Sequence, residues 1–292
     1  MSKNYIQENS NKNTYDIIFL GLAQNCEKYL LNFFNTINLI SKKKKIYAII
    51  GENNSSDYTF NEILKLSKTI EKYFTFVDTT FIEKFDDRIK RLASARQALK
   101  NKINELNLKS KYICVVDLDD VIETNFTPKL IYDLIQKLEK NHTKHFGISV
   151  TSKPFYYDML NFESKEFPNN NIKQIQNNRS LKSYKYRKKY IYDIQKKITL
   201  AKNFECISAF NGLCIYFYSD FINSNYLEKS DDVTPEHLYL NRIIHKRTKK
   251  KIYVTDKNLQ MPEEHKPLSN IYSFLLEKFI KYLAIFFNKI RN

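Results

Sequence analysis

The chain has 292 residues and carries 48 Lys and Arg against 32 Asp and Glu, a formal charge of +16. That length holds one large domain or two small ones, and the basic balance favours anionic partners: nucleic acid, phosphorylated ligands or an anionic membrane face. Only four glycines occur, with neither a G-x-G-x-x-G nor a P-loop pattern, which excludes a Rossmann dehydrogenase or P-loop enzyme built on a glycine-rich phosphate cradle. Cys26, Cys114, Cys206 and Cys214 sit in or near apolar stretches without C-x-x-C spacing. They read as core thiols of a reducing compartment rather than zinc ligands. No apolar stretch is long enough to span a bilayer, and the polar, Asn-rich residues 1–14 carry no signal-peptide core.

In chain order, residues 16–22 (DIIFLGL) read as a first strand, and a helix opens near Gln24–Glu27 with apolar residues through Leu39. The lysine run 42–45 reads as a solvated helix end and loop. Residues 46–50 (IYAII) form a second strand that enters GENNSSDYT, a loop rich in hydrogen-bonding groups and placed to read a nucleobase or ribose beyond the strand's carboxyl end. A helix over 59–70 and a short strand over 74–77 follow. Residues 85–108 form the longest helix, carrying Arg88, Arg91 and Arg96 on a broad face. Three guanidiniums there suit a diphosphate, and equally suit pairing with Asp86, Asp87 or Glu105.

The chain is organised around KYICVVDLDDVIE at 111–123. An apolar strand, 112–116, ends in Asp117, Leu118, Asp119 and Asp120. Three carboxylates cannot be buried unpaired, so the strand opens into a polar site, and their cheapest partner is a divalent cation held by Asp117 and Asp119. A turn or helix cap is the other reading of such a triplet. Thr127-Pro128 caps a helix through Leu138, and 146–150 is a strand. Residues 154–200 show little pattern before Tyr190, and a Tyr–Lys stretch there admits nucleic-acid stacking. Residues 204–218 read as loop then strand around Asn211 and Gly212. Thr234 caps a helix with Pro235 in its first turn, which puts Glu236 and His237 at a helix N-terminus. His237 is a candidate for metal or phosphate, and Glu236, Asp231 or Asp232 for the acceptor hydroxyl. After a strand at 251–254, residues 271–290 form a basic amphipathic helix suited to an anionic membrane or to packing on protein.

The ordered set IIFLGLAQNCEKYL, ENNSSDYT, RIKRLASARQALKNKI, CVVDLDDV, SAFNGLCIY and PEHLYLN resembles a GT-A type, nucleotide-sugar-dependent glycosyltransferase, nearest to the capsule-type mannosyltransferase-like group. The resemblance covers roughly residues 16–256. It implies an α/β, Rossmann-like, mostly parallel sheet flanked by helices. One catalytic domain would span 15–260, with a nucleotide half to about 125, an acceptor half beyond it and an insertion near 160–200, followed by the C-terminal amphipathic helix of 268–292. It also implies roles. Glu52, Ser56 and Asp57 would contact the nucleoside, Arg88, Arg91 and Arg96 the diphosphate, and Asp117 and Asp119 would bind Mn²⁺ or Mg²⁺, with His237 a further metal candidate. Asn211, Gly212, Glu236 and His237 would line the sugar and acceptor side, with Asp119, Asp232, Glu236 and His237 as the catalytic group. Gln97 departs from the family's usual Asn. The implied activity transfers a hexose from a GDP- or UDP-sugar to a surface glycan or glycolipid at the cytoplasmic face of the inner membrane, in capsule or lipopolysaccharide biosynthesis. A two-aspartate nucleotidyltransferase or phosphotransferase and a basic nucleic-acid-binding protein are the competing readings.

Overall fold

Side-chain alternation along apolar strands decides this architecture, because residues two apart share a face and each face needs its own cover. The computed structural model describes residues 13–167, 191, 193–201, 203–227 and 234–263. The expectations for the N-terminal tip, most of the Tyr–Lys stretch, Asp231, Asp232 and the C-terminal helix lie outside the described residues.

Strands β1 (Thr14–Ala23), β2 (Ile46–Glu52), β3 (Phe74–Asp78), β4 (Lys109–Asp117), β5 (His145–Lys153), β6 (Phe204–Cys206), β7 (Leu213–Phe217) and β8 (Lys251–Gln260) form one mixed sheet. Their order is β3-β2-β1-β4-β7-β5-β8-β6. β6 and β7 run against the other six, so the sheet is Rossmann-like in its first half and mixed in its second. One face carries Ile17, Phe19, Cys114 and Val116 under helices α1 (Glu27–Ser41) and α4 (Pro128–Lys140). The other carries Ile18, Leu20, Ile113 and Val115 under α3 (Arg88–Glu105). Leu240 and Ile244 of a later helix, α7 (Glu236–Thr248), join that second core. Each such large side chain contributes about 1.5–3 kcal/mol when fully buried.

The remaining helices are α2 (Thr59–Ser67), α5 (Asp193–Leu200) and α6 (Tyr218–Ile222). Among the boundaries that differ from the sequence expectation, two have local reasons. The long helix starts at Arg88 because the Asp87 carboxylate accepts the Lys90 N–H at 2.9 Å and caps it, while residues 80–84 form a separate 3-10 turn. In α7 the cap position is taken by Pro235 in an extended conformation, not by Thr234, and no side chain caps the helix. The reversed strand matters most. β7 inserts antiparallel between β4 and β5, so its N-terminal loop, Asn211–Gly212, abuts the C-terminal end of β4.

Candidate functional site

The carboxyl ends of β1, β2 and β4 and the start of α7 enclose a cavity of about 250 Å³. Asp117, the last residue of β4, donates its N–H to the Gly212 carbonyl at 2.9 Å. Asp119 caps a 3-10 turn by accepting the Val121 N–H at 3.1 Å, and Asp120 accepts the Glu263 N–H at 3.0 Å. The acidic triplet is therefore both a turn and part of the cavity wall, since Asp117 and Asp119 line it.

Arg96 is the electrostatic centre of the wall. Its side chain is only 5% exposed, and Nη2 donates to Asp117 Oδ1 at 2.6 Å. Nε lies 3.5 Å from Glu236 Oε1, an ion pair without hydrogen-bond geometry, and Nη1 has no protein partner. The guanidinium sits 5.1 Å over the Phe210 ring. A buried cation persists only where carboxylates repay its desolvation. Burial opposes the Arg96 charge, but Asp117 and Glu236 outweigh it and hold the pKa above its ordinary value. Burial also raises the Glu236 carboxyl, against the pull of Arg96.

The Asn211–Gly212 turn braces the cavity wall from behind. Asn211 at φ 55 and Gly212 at φ 82 occupy the left-handed region that Asn and Gly tolerate best. Asn211 Oδ1 accepts the Tyr157 N–H at 3.1 Å, and the Asn211 N–H donates to Asp158 Oδ2 at 3.2 Å. A Cβ on Gly212 would stand 2.5 Å from Val121 Cγ1 and 2.9 Å from the Tyr157 hydroxyl. Gly212→Ala is expected to lower stability by about 2–4 kcal/mol, through strain and overpacking. Urea unfolding checks this; an unchanged midpoint contradicts it.

Asp158 and Asn161, on the loop after β5, also line the cavity. The Asn161 amide donates to both Asp158 oxygens at 3.1 Å. Burial, with Glu236 nearby, pushes the Asp158 carboxyl up to about 7 despite those bonds. A raised folded-state carboxylate pKa means the native state binds the proton more tightly than the unfolded chain does. The Asp158 contribution to stability is thus fullest below about pH 4 and falls as pH rises towards about 7. Between pH 4.5 and 8, the wild type should lose on the order of 3 kcal/mol relative to Asp158→Asn in matched unfolding experiments. Parallel curves for the two proteins would exclude that linkage.

The residues expected at the site divide sharply. Arg88, Arg96, Asp117, Asp119 and Glu236 line the cavity. Arg91 is half-buried on α3 and is not among the described lining residues. Glu52, Ser56 and Asp57 bind protein instead. Glu52 accepts the Ser55 N–H at 2.7 Å, and the Ser56 N–H donates to Asn25 Oδ1 at 2.8 Å. Asp57 accepts the Thr59 N–H at 3.0 Å and the Glu27 N–H at 3.3 Å. Burial would raise the Asp57 carboxyl, but hydrogen bonds from Thr59 and Glu27 prevail and hold it low. Together these contacts staple the β2–α2 loop to the β1–α1 loop, and from those loops Gln24 and Asn53 reach the cavity. Asn211 and Gly212 stand behind the wall, and Asp232 lies outside the described residues.

His237 is fully buried and does not line the cavity. It stacks on Phe210 at 3.6 Å with an 11° interplanar angle, and neither ring nitrogen has a hydrogen-bond partner. Burial, reinforced by Arg96, drives its pKa well below the ordinary value, so the ring is neutral. Among the described residues, no three His, Cys, Asp or Glu side chains gather into a preformed metal cage. Nor is any described helix long and apolar enough to cross a membrane.

No family model matches the chain, and no curated protein matches it in sequence. Similar folds occur among solved structures. Residues 1–349 of S. aureus TarS share 10% identity at a TM-score of 0.45, over 84% of this chain and 59% of that one. Glucosyl-3-phosphoglycerate synthase from Mycobacterium tuberculosis in complex with UDP shares 10% at 0.47, over 87% and 74%. The mannosyltransferase PcManGT from Pyrobaculum calidifontis, in complex with GDP-Man and Mn²⁺, shares 11% at 0.49, over 96% and 65%. This chain thus spans less than two thirds of the TarS and PcManGT structures. These figures describe architecture and carry nothing about chemistry.

Proposed function

We propose that the chain is a metal-dependent glycosyltransferase that moves a hexose from a GDP- or UDP-linked donor to a surface glycan or glycolipid. One observation carries the reading. Arg96 is buried at the end of β4 between Asp117 and Glu236, keeps one guanidinium nitrogen without a protein partner, and lies on a cavity wall with Asp119. Fork-like donors in a water-poor site suit a diphosphate, and they are worth most where negative charge develops during reaction. Transfer of a sugar from a nucleoside diphosphate develops that charge on the leaving group.

Asp117 and Asp119 would hold Mn²⁺ or Mg²⁺. Both are hard oxygen donors on the cavity wall at the strand end, and further ligand positions would be filled by substrate phosphate. Such an ion, when bound, neutralises charge on the departing diphosphate. We assign Asp158, rather than Glu236, to accept the proton of the acceptor hydroxyl. Both line the cavity, but Glu236 is tied to Arg96 and 6% exposed, whereas burial pushes the Asp158 carboxyl up to about 7, matched to a general base. The acceptor oxygen forms a bond to the sugar's anomeric carbon, the carbon–phosphate oxygen bond breaks, and its electron pair leaves with the nucleoside diphosphate.

Residues 264–292 follow directly from Pro262, which lines the cavity, and Glu263, which bonds Asp120. Their basic amphipathic sequence supports peripheral contact with an anionic membrane at the cytoplasmic face of the inner membrane. Deleting 264–292 is expected to abolish co-sedimentation with anionic vesicles, and undiminished sedimentation would refute the membrane contact.

Product analysis tests the reaction class. Incubation with UDP- and GDP-hexoses and Mn²⁺ should release the nucleoside diphosphate. Pyrophosphate release from nucleoside triphosphates would make the protein a nucleotidyltransferase. Tight, salt-sensitive oligonucleotide binding without turnover would make its basic surface the function.

A further inference from the structure

A histidine that serves only to fill a slot in the core is a poor choice, because its buried N–H goes unpaired where a phenylalanine would leave nothing unsatisfied. His237 occupies such a slot. Phe210 stacks on it, and the Tyr226 ring meets it edge-on at 5.5 Å and 85°. Tyr226 is itself fixed, its N–H donating to the Gln97 side chain at 2.9 Å. The imidazole therefore cannot turn outwards to find solvent. Glu236 Oε1 lies 3.9 Å from His237 Nε2 and 3.5 Å from Arg96 Nε. Neither approach is a hydrogen bond, and Arg96 Nε and both His237 nitrogens remain without one. One carboxylate oxygen thus stands between two buried donors and completes a bond with neither.

We propose that His237 is a positioning residue whose Nε2–H is the alternative partner for Glu236, taking that carboxylate over when a donor diphosphate draws Arg96 away from it. The idea rests on the diphosphate site proposed above. A movement of about 1 Å brings Oε1 into hydrogen-bond range of Nε2. Without the second donor, releasing Arg96 would strand a buried carboxylate, so the diphosphate would have to overcome that penalty as it binds. With it, the Arg96 fork is free to pair with phosphate oxygens while Glu236 stays satisfied. The aromatic packing keeps the imidazole aimed throughout, and the neutral ring adds no charge to repel Arg96.

Two variants separate the donor from the ring. His237→Phe keeps a stacking plane and removes the donor. His237→Gln removes the ring and keeps an N–H donor. Calorimetric titration with UDP and GDP in the presence of Mn²⁺ is expected to show about tenfold weaker binding for His237→Phe. His237→Gln should stay within about threefold of wild type. In turnover, His237→Phe should raise KM more than it lowers kcat. Wild-type affinity in His237→Phe, or equal losses in both variants, overturns the proposal. Should the wild type bind neither nucleotide, the glycosyltransferase reading fails, and the exchange of partners at Glu236, which rests on it, is overturned with it.

Discussion

Replacing Arg96 with Leu is expected to lower the unfolding free energy by about 3 kcal/mol and to remove activity, because the mutation leaves the buried Glu236 and the half-buried Asp117 without their cation. Asp117 would lose its 2.6 Å partner, and Glu236, 6% exposed, its nearest cation. The Phe210 ring would lose the guanidinium it carries. A compensating change makes the cause visible. Glu236→Gln in the Arg96→Leu background should recover part of the lost stability, since one uncompensated charge has been neutralised, while activity stays absent. Urea unfolding of the two variants decides it. An Arg96→Leu midpoint equal to wild type would mean that Arg96 is not the centre that the carboxylates organise around.

Asp119→Asn should behave oppositely: a fold close to wild type and activity reduced on the order of a thousandfold. The asparagine oxygen still accepts the Val121 N–H, and helix-cap statistics treat the two residues as near equivalents, so stability should change by less than about 1 kcal/mol. What is lost is the charge that would hold a divalent cation beside Asp117. Mn²⁺-dependent turnover surviving at the wild-type rate would remove Asp119 from the metal site. The pair of results matters more than either alone. Together they would show that Arg96 couples stability to function, and that Asp119 serves function on a turn that tolerates its loss.

The strands and the helices that carry the site were legible because their signals are local. Residues 16–22, 46–50 and 112–116 are short apolar runs bounded by polar loops, and all three lie inside observed strands. The acidic end of β4 was legible for the same reason, since clustered carboxylates behind a buried strand have few physical options. The arginines were only half legible. Their spacing gave a helix face, but the depth at which α3 packs leaves Arg88 exposed and buries Arg96. Asp158 and Asn161 were missed because nothing in their own neighbourhood is patterned. They become site residues only when β7 inserts antiparallel and Asn211 captures the Asp158 loop. His237 shows the converse. A Glu-His pair at a helix start suggests ligands, yet one turns to the cavity wall and its neighbour into the core, a distinction of helix rotation that spacing alone does not reveal. Ser56 and Asp57 carry the right groups for a ligand but use them to join two loops.

The central claim is that the β4 end binds a nucleoside diphosphate through Arg96 and a cation held by Asp117 and Asp119. Calorimetric titration of the wild type with UDP, GDP, CMP and a short oligonucleotide, each with and without Mn²⁺, tests it most directly. UDP or GDP is expected to bind only with Mn²⁺, and Asp119→Asn is expected to abolish that binding. Nucleotide binding indifferent to both Mn²⁺ and Asp119 would contradict it.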